Sequence, residues 1–398
     1  MTEYRKPASG DNRRVVTIGT TVIISAVVFL VGFVAGTRQE EIFETIGLTP
    51  ASSLDLSSIN DIYKRLSSSF NGDLDPYALV EGAKKGLVEA SGDRFTAYLT
   101  EEEAAEFRRS LEGDVGAGIG VEIGLRNGVV TVVRPLKDNP AIKAGIKAGD
   151  VIAKVNDEDV TALDPESVSN KIRGEAGTSV KIQIYRSGEP LEFALMREKI
   201  NNPSATVDYI EGVAIIRLTR FDSDTGSLVK TIAKDINNRG ISKIILDLRG
   251  NGGGYVTAAQ EVLSLWLDNK VALIEKSKGS SSELKTSKGG AVLAGKRTIV
   301  ITDSTSASAS EIVVGALRDH GVATSLGETT YGKGSVQQVY ETDGGGLLKV
   351  TVARWYTPKG NNIDNEGIRP DVEIKMTFDD INEGNDKQLK RALELIHK

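Results

Sequence analysis

The feature that most constrains this chain is an unbroken apolar segment at residues 15–36, which contains no charged residue. As a helix it would extend roughly 33 Å, at about 1.5 Å per residue, which matches a hydrocarbon core about 30 Å thick. No face of the segment is polar, which argues against a helix buried in a soluble core. The segment therefore predicts one transmembrane helix. A cleaved signal peptide is the alternative, although its apolar region is usually only about 7–15 residues long.

The charges on either side of this segment predict its orientation. Arg13 and Arg14 precede it, and acidic residues follow it. Because positive residues are retained on the cytoplasmic side of a membrane, we expect residues 1–14 to be a cytoplasmic tail. Residues 37–398 would then lie outside the cytoplasmic membrane, in a periplasm or at the cell exterior.

The composition excludes several classes of function. At 398 residues, with 39% apolar and 26% charged residues, the chain is typical of folded protein and long enough for about two or three globular units. A net charge of −6 offers no basic surface for nucleic acid, whose binding depends largely on neutralising phosphates. The absence of cysteine excludes disulfides, thiolate metal sites and cysteine nucleophiles.

Changes in residue pattern predict how the chain is organised after the apolar segment. Residues 37–54 are typical of a juxtamembrane linker, and residues 55–112 of a helical region with apolar residues every three or four positions. Short strand-like runs at residues 113–200, with a hairpin turn at Ser187-Gly188, predict a compact α+β module.

The C-terminal half alternates between strand-like and helical segments. Residues 201–378 follow this alternation, which predicts an α/β core with crossover connections, and residues 379–398 predict a C-terminal helix. Within the core, the small, polar and lysine-rich stretch 276–290 predicts a solvated loop. Its string Ser282-x-x-Lys285 matches one β-lactamase motif, but the S-D-N element is missing, which favours coincidence.

A cluster of alternating serines follows the strand-like run RTIVITD and precedes an amphipathic helix. Unpaired backbone N–H groups and the helix dipole at such a junction favour negative charge, so the junction is suited to stabilising an oxyanion. Simple helix capping would explain the same residues. Composition alone does not separate the four candidate serines, which are Ser304, Ser306, Ser308 and Ser310.

Neither histidine is a good candidate for the base of a serine nucleophile. His320 lies 12 residues beyond Ser308 on the same predicted helix, roughly 18 Å along its axis, and His397 is the penultimate residue. A Ser-His-Asp triad is therefore disfavoured. Lysine remains, because burial lowers the pKa of a lysine amine and lets it act as a base.

The segment GETTYGKGSVQQVY (327–340) contains a candidate lysine, Lys333. It fails the phosphate-binding loop pattern, because Gly334 stands where Ser or Thr would bind magnesium and a strand-like run follows instead of a helix. We therefore expect no nucleotide. In an extended strand Lys333, Ser335 and Gln337 would share one face, which would let the side-chain carbonyl of Gln337 hold the lysine amine.

A third motif, LDLRGNGGGYV (246–256), has consecutive glycines after a strand-like run. It is not the dinucleotide-binding fingerprint, because Tyr255 stands where the third glycine is required. Glycines at the end of a strand let backbone N–H groups approach a substrate closely, and a plain tight turn is the alternative.

Together, STSASASE, the lysine of YGKGSVQ, LDLRGNGGG and the later ARWYTPKGNNIDNEGIRPDV resemble, in order and spacing, the carboxyl-terminal processing peptidases (tail-specific proteases, peptidase family S41). The resemblance covers roughly residues 60–380, and residues 113–200 resemble the PDZ domain of those enzymes. It implies a mixed α/β serine-protease core of ClpP/crotonase-like βα units with an inserted PDZ domain. It also implies that no metal or other cofactor is needed.

The resemblance assigns roles to individual residues. Ser308 corresponds to the nucleophile, Lys333 to its base and Gln337 to the residue that assists the lysine. The oxyanion donors correspond to the backbone N–H groups of Gly254 and Ala309. The implied activity is that of a serine endopeptidase that cuts inside protein tails through an acyl-enzyme, and the apolar segment at residues 15–36 would anchor it to the membrane.

The PDZ-like part implies that substrates are proteins with accessible C-terminal tails. The string GIGV resembles the loop whose backbone amides bind a terminal carboxylate, while the peptide adds a strand beside it. Apolar residues of this loop and of a nearby helix would line the groove, or are simply core residues of the module. The candidate binding residues are Gly118, Ile119, Gly120, Val121, Val168 and Ile172.

One other class of function remains open at this point, a catalytically silent PDZ scaffold that holds exported proteins at the membrane. Such a scaffold has no need for the complete set of motifs, which counts against it. The resemblance further implies a homodimer formed by terminal helices, for which residues 55–112 and 379–398 are candidates.

Overall fold

A computed structural model describes residues 55–398, so the predicted tail, transmembrane segment and linker lie outside the described residues. Within the described part, no helix is both long and apolar enough to cross a membrane. The chain divides into two compact units with the boundary after Leu79. The first helices are α1 (Ser57–Ser69) and α2 (Pro76–Glu89), the second of which continues across this boundary.

The predicted helical region at 55–112 also contains a strand. Strand β1 (Ala97–Leu99) precedes helix α3 (Glu101–Glu112). The prediction of helix alone was wrong here because β1 pairs with residues 347–349, a partner far away in sequence that no local pattern reveals. Helix α3 begins at a capping box formed by Thr100 and Glu103 and ends at Gly113, whose φ of 67° suits a left-handed cap.

The next part is a small β-rich module. Its eight strands are β2 (Ala117–Gly118), β3 (Val121–Arg126), β4 (Val129–Pro135), β5 (Val151–Val155), β6 (Glu158–Asp159), β7 (Ser179–Arg186), β8 (Glu189–Met196) and β9 (Glu198–Lys199), and its two helices are α4 (Pro140–Lys143) and α5 (Pro165–Ile172). Strands β3 to β8 form one antiparallel sheet, and β2 pairs with β9. The β7–β8 hairpin turns at Ser187 and Gly188, as predicted, and both residues have positive φ.

The C-terminal part is built on a six-stranded sheet with the order β10-β11-β12-β15-β16-β19. Strands β11, β12, β15, β16 and β19 are parallel, and β10 is an antiparallel edge strand. This confirms the predicted alternation of strands with crossover helices. The elements are β10 (Ala205–Ile210), β11 (Val213–Leu218), α6 (Thr225–Asn238), β12 (Lys243–Asp247), α7 (Val256–Leu263), β13 (Val271–Ser277), β14 (Ser280–Lys285), β15 (Arg297–Thr302), α8 (Ala309–Asp319), β16 (Ala323–Gly327), β17 (Ser335–Glu341), β18 (Leu347–Tyr356) and β19 (Val372–Glu373).

Both faces of this sheet are buried, which explains why its strands are continuous apolar runs rather than alternating ones. In β12, Ile244 and Leu246 belong to the core that includes α6, α7 and α8. The intervening Ile245 belongs to a second core on the opposite face, where it packs with Ala392 and Ile396 of the C-terminal helix.

A second sheet combines β1, β13, β14, β17 and β18. It corrects the predicted solvated loop at 276–290, because residues 280–285 form β14 and pair with β13. Local composition pointed to a loop since the β14 side chains are mostly exposed, and only the pairing partner makes the segment a strand. The string Ser282-x-x-Lys285 thus lies on an exposed hairpin.

The predicted single helix at 379–398 is two helices, α9 (Phe378–Glu383) and α10 (Lys387–His397). Helix α9 stops at Gly384, whose φ of 68° gives a left-handed cap. Helix α10 then starts at Asp386, whose side chain accepts a hydrogen bond from the Leu389 N–H group at 2.9 Å.

Candidate active site

Three loops that carry the sequence motifs meet at one edge of the parallel sheet. The glycine-rich loop follows β12, the serine segment follows β15, and the lysine segment follows β16. Because β12, β15 and β16 are neighbouring parallel strands, their carboxyl ends lie side by side. Sites in open α/β sheets form at this edge.

Ser308 lies directly before the first turn of α8 and has φ 54° and ψ −114°. A non-glycine residue in this region costs about 1–3 kcal/mol, so the surrounding contacts must hold it there. Its position also places it at the positive end of the helix dipole. Such backbone strain is characteristic of residues at functional sites.

The structure separates the four serines that composition could not. Ser306 and Ser310 are fully buried, and their hydroxyls donate to the carbonyl oxygens of Leu248 and Asn251, each at 2.9 Å. These two serines therefore fasten the serine segment to the glycine-rich loop. Ser304 is exposed in the preceding turn, whereas Ser308 is half-buried at the helix start.

The buried carboxylate of Glu311 connects the serine segment to the lysine segment. The Ser308 N–H group donates to Oε2 at 2.8 Å, and the Lys333 N–H group donates to the same oxygen at 3.0 Å. The Thr330 hydroxyl and the Gly332 N–H group donate to Oε1 at 2.5 and 2.7 Å. Glu311 has no exposed surface, and its four donors provide the compensation that a buried carboxylate requires.

Sequence reasoning did not single out Glu311, although a signal for it was present. A Ser followed three residues later by Glu at a helix start is the capping-box pattern. That pattern predicts the contact with Ser308. It gives no indication of the contacts with Thr330 and Gly332, which come from a loop after another strand.

The glycine-rich loop presents a backbone N–H group beside the serine turn. The Gly253 carbonyl accepts from the Phe221 N–H group at 2.9 Å, and the Tyr255 N–H group donates back to Phe221 at 2.8 Å. Because a peptide unit is planar and trans, the Gly254 N–H group must point away from Phe221. Gly253 itself lies so close to the turn that a Cβ atom there would come within 2.8 Å of Ser308 Cβ.

Ala309 supplies a second free N–H group by its position. It is the first residue of α8, and the first N–H groups of a helix have no acceptor within the helix. Of the two predicted oxyanion donors, Ala309 follows Ser308 in the chain, and Gly254 belongs to a loop that approaches Ser308 through Gly253.

Lys333 lies in the loop before β17 rather than in the strand, which corrects the predicted extended face for this residue. Its carbonyl accepts from the Trp355 indole N–H group at 2.9 Å, and its side chain is half-buried. Burial lowers the pKa of the Lys333 amine below 10.5, the positive charge of Lys349 lowers it further, and Glu311 opposes this effect. A lysine amine with a lowered pKa is suited to accept a proton.

Gln337 lies within β17, and its amide nitrogen donates to the Ser335 hydroxyl at 2.8 Å and to the Thr351 hydroxyl at 3.5 Å. Among the described hydrogen bonds, none joins Gln337 to the Lys333 amine. The predicted contact between their side chains is therefore not formed in this state.

The candidate peptide-binding residues divide into two groups. Val168 has no exposed surface and is a core residue of the β-rich module. The other five line a cavity of about 280 Å³, although Ile119 and Ile172 also belong to the module core. The same cavity is also lined by Arg217, Thr219, Arg249 and Gly250 of the α/β core.

The chemical groups at this edge of the sheet come from side chains and from the backbone of residues 55–398. No group of three or more His, Cys, Asp or Glu residues that would hold a metal ion occurs there. The loops at this edge of the sheet carry the Ser308 hydroxyl, the Lys333 amine and backbone N–H groups, and among the described hydrogen bonds none joins this hydroxyl to this amine.

Known proteins resemble this chain over most of its length. The profile of peptidase family S41 matches residues 212–374, and a PDZ domain profile matches residues 117–196. A "Probable CtpA-like serine protease" of Staphylococcus aureus (strain N315) is 33% identical, over 90% of this chain and 71% of that protein. A relative of the same name in Staphylococcus haemolyticus (strain JCSC1435) is 33% identical, over 82% of this chain and 66% of that protein.

One solved structure is similar in both sequence and fold. The photosystem II D1 C-terminal processing protease is 26% identical with a TM-score of 0.52, and the match covers 87% of this chain and 92% of that one. This likeness supports a mixed α/β fold with a PDZ domain for the described residues.

Replacing Glu311 by Gln tests whether this carboxylate holds the site together. The amide keeps only one acceptor oxygen, so two of the four donors lose their partner. We expect the free energy of unfolding to fall by about 2–3 kcal/mol, as measured by denaturant titration. The matched control is Glu366→Gln, an exposed position, which should change stability by less than about 0.5 kcal/mol. Equal stability of the two variants would contradict the assigned role.

Proposed function

The chain belongs to peptidase family S41. We propose that it is a membrane-anchored endopeptidase, and that it cleaves protein substrates with Ser308 as the nucleophile and Lys333 as the base. The observation that carries the proposal is the Glu311 carboxylate, which holds the backbone N–H groups of Ser308 and Lys333 on one oxygen atom. A shared buried anchor fixes the relative position of nucleophile and base, as catalysis by a dyad requires.

In the proposed reaction, the neutral Lys333 amine accepts the Ser308 proton while the Ser308 oxygen attacks the carbonyl carbon of the substrate peptide bond. The N–H groups of Gly254 and Ala309 stabilise the resulting oxyanion. The Lys333 ammonium then returns a proton to the leaving amine. Water, deprotonated by the same lysine, attacks the acyl-enzyme and releases the second product with free Ser308.

Gln337 has a supporting role in this proposal. It lies two residues into β17, close in sequence to Lys333, and its carbonyl oxygen is a suitable acceptor for the lysine amine. A change of its side-chain rotamer, away from Ser335, would form this contact when substrate is bound.

The dyad is tested by replacing its two members separately. Ser308→Ala and Lys333→Ala should each lower the rate of cleavage of an unfolded substrate protein by about 10³-fold or more, because each removes an essential partner in proton transfer. The control is Ser304→Ala, which changes an exposed serine of the same segment and should cleave normally. A Lys333→Ala variant with full activity would rule out the dyad.

We further propose that the PDZ domain binds the free C-terminal tail of the substrate. Its groove residues line a cavity that reaches Arg249 and Gly250, at the start of the glycine-rich loop. A terminal carboxylate would bind the amides of the loop at 118–121, and the peptide would pair with the adjacent strand.

Amidation of the substrate tail tests this recognition, because it removes the terminal charge and leaves every side chain unchanged. We expect KM for a protein with an apolar tail to rise at least about tenfold on amidation, with little change in kcat. A short internal peptide without the tail serves as control and should be cleaved at the same rate whether or not it is amidated. Identical kinetics for free and amidated tails would contradict the proposal. Binding of the free tail without cleavage would favour a PDZ scaffold.

The membrane anchor is proposed from the sequence at residues 15–36, with the N-terminus inside and the peptidase extracytoplasmic. Its test is a protease added to cells whose outer envelope has been removed but whose cytoplasmic membrane is intact, with tags at both ends of the chain. The C-terminal tag should be digested and the N-terminal tag protected, because the membrane covers only the latter. Protection of both tags would contradict this orientation.

The homodimer implied by the family resemblance stays a proposal.

A further inference from the structure

A second lysine lies on the sheet face that adjoins the lysine segment. In the β17–β18 ladder, Gln337 pairs with Thr351 and Val339 pairs with Lys349. Directly opposed residues project to the same face, as do residues two apart in one strand. Lys349 therefore lies on the same face as Gln337, and β17 begins two residues after Lys333.

Two aromatic residues that precede the PDZ domain in the sequence, Phe95 and Phe107, contact Lys333 and Lys349. The Lys333 Nζ atom lies 5.3 Å from the centroid of the Phe95 ring, and the Lys349 Nζ atom lies 4.8 Å from the centroid of the Phe107 ring. Each amine is thus placed against an aromatic ring rather than against a carboxylate. The face of an aromatic ring attracts an ammonium group, so these contacts favour the protonated amines, whereas burial favours the neutral ones.

The segment that carries Phe95 is held in place by β18. The Thr96 hydroxyl donates to Asp93 at 2.6 Å and accepts from the Thr351 N–H group at 3.0 Å. Strand β1 continues the contact, with Ala97 opposite Lys349. The segment that carries Phe95 is therefore tied to the strand that carries Lys349.

Two charged groups, Lys349 and Glu311, act on the Lys333 amine in opposite directions. Burial lowers the pKa of both lysines, Lys349 lowers that of Lys333 further, and Glu311 of α8 opposes this effect. The Arg94 guanidinium lies over the Phe95 ring at 4.4 Å and near the Tyr331 ring at 5.9 Å.

We propose that Lys349 is a positioning residue that keeps Lys333 a neutral base by like-charge repulsion beneath the aromatic cover of Phe95 and Phe107. Two amines in one partly desolvated site cannot both stay protonated without cost. Lys333 releases its proton at lower pH than it would alone, and Ser308 gains a competent base near neutral pH. The inference rests on the dyad proposed above and names the residue that tunes it.

The first test measures the pH dependence of kcat/KM in the full-length protein. Lys349→Met removes the neighbouring charge, so the midpoint of the acid limb should move up by about 1 pH unit. Activity well below the midpoint falls about tenfold and the alkaline plateau is kept. Lys349→Arg retains the charge and should restore the wild-type midpoint. The matched control is Lys276→Met, which removes an exposed lysine that also contacts an aromatic ring, that of Tyr356, and should leave the profile unchanged.

A second measurement does not require activity. The chain is labelled with ¹³C at the lysine ε-carbons, and the Lys333 signal is assigned by its loss in Lys333→Ala. Its titration midpoint should rise in Lys349→Met and stay near the wild-type value in Lys349→Arg. The midpoint reports the effect of the Lys349 charge on Lys333 directly, even where a variant cleaves slowly.

The outcomes separate this inference from the dyad itself. Full cleavage by Lys333→Ala overturns the dyad, and the inference with it. If Lys333→Ala is inactive but the midpoint in Lys349→Met equals that of wild type by both measurements, Lys349 has no tuning role and the dyad stands. A midpoint that moves equally in Lys349→Met and Lys349→Arg also overturns the inference, because side-chain shape rather than charge would then be responsible.

Discussion

The arrangement of the site depends on one buried carboxylate. Glu311 has no exposed surface and accepts four hydrogen bonds, from the Ser308 and Lys333 N–H groups and from Thr330 and Gly332. Removing water from a carboxylate is costly unless such donors replace it. The carboxylate and the two segments depend on each other. Glu311 holds the serine and lysine segments together, and their donors supply the hydrogen bonds that the buried carboxylate needs. The strained backbone of Ser308 persists because this network over-determines it.

The parallel sheet brings the parts of this network together. Strands β12, β15 and β16 run in the same direction, so the three loops that follow them meet at one edge although they are far apart in sequence. Close contact between the loops then depends on glycine, since a Cβ atom on Gly253 would come within 2.8 Å of the Ala307 carbonyl oxygen and Ser308 Cβ. The second sheet adds the environment of the amine, through β18 and the segment that ends in β1. In the proposed mechanism, the pKa of the Lys333 amine therefore depends on elements outside the three loops.

Local sequence patterns predicted part of the secondary structure correctly. They failed where a strand forms only by pairing with another strand. The β7–β8 hairpin and the alternating core were predicted correctly, because turn residues and apolar runs are local signals. Strand β14 was taken for a loop, because its polar residues form a strand only through pairing with β13. Likewise β1 was missed and Lys333 was placed in a strand, since the start of β17 at Ser335 is set by its register with β18.

The sequence by itself determined the family, the serine and lysine segments and the glycine-rich loop, because these depend on residue types at fixed spacings. It did not distinguish Ser308 from its three neighbouring serines by local composition. The tertiary structure did so, by burying Ser306 and Ser310 in hydrogen bonds to the glycine-rich loop. It also decided that Glu311 bridges two loops and that Lys349 and Gln337 lie on the same face of the second sheet. The physical reason is that hydrogen-bond geometry and local charge arise between strands distant in sequence, where spacing along the chain carries no information.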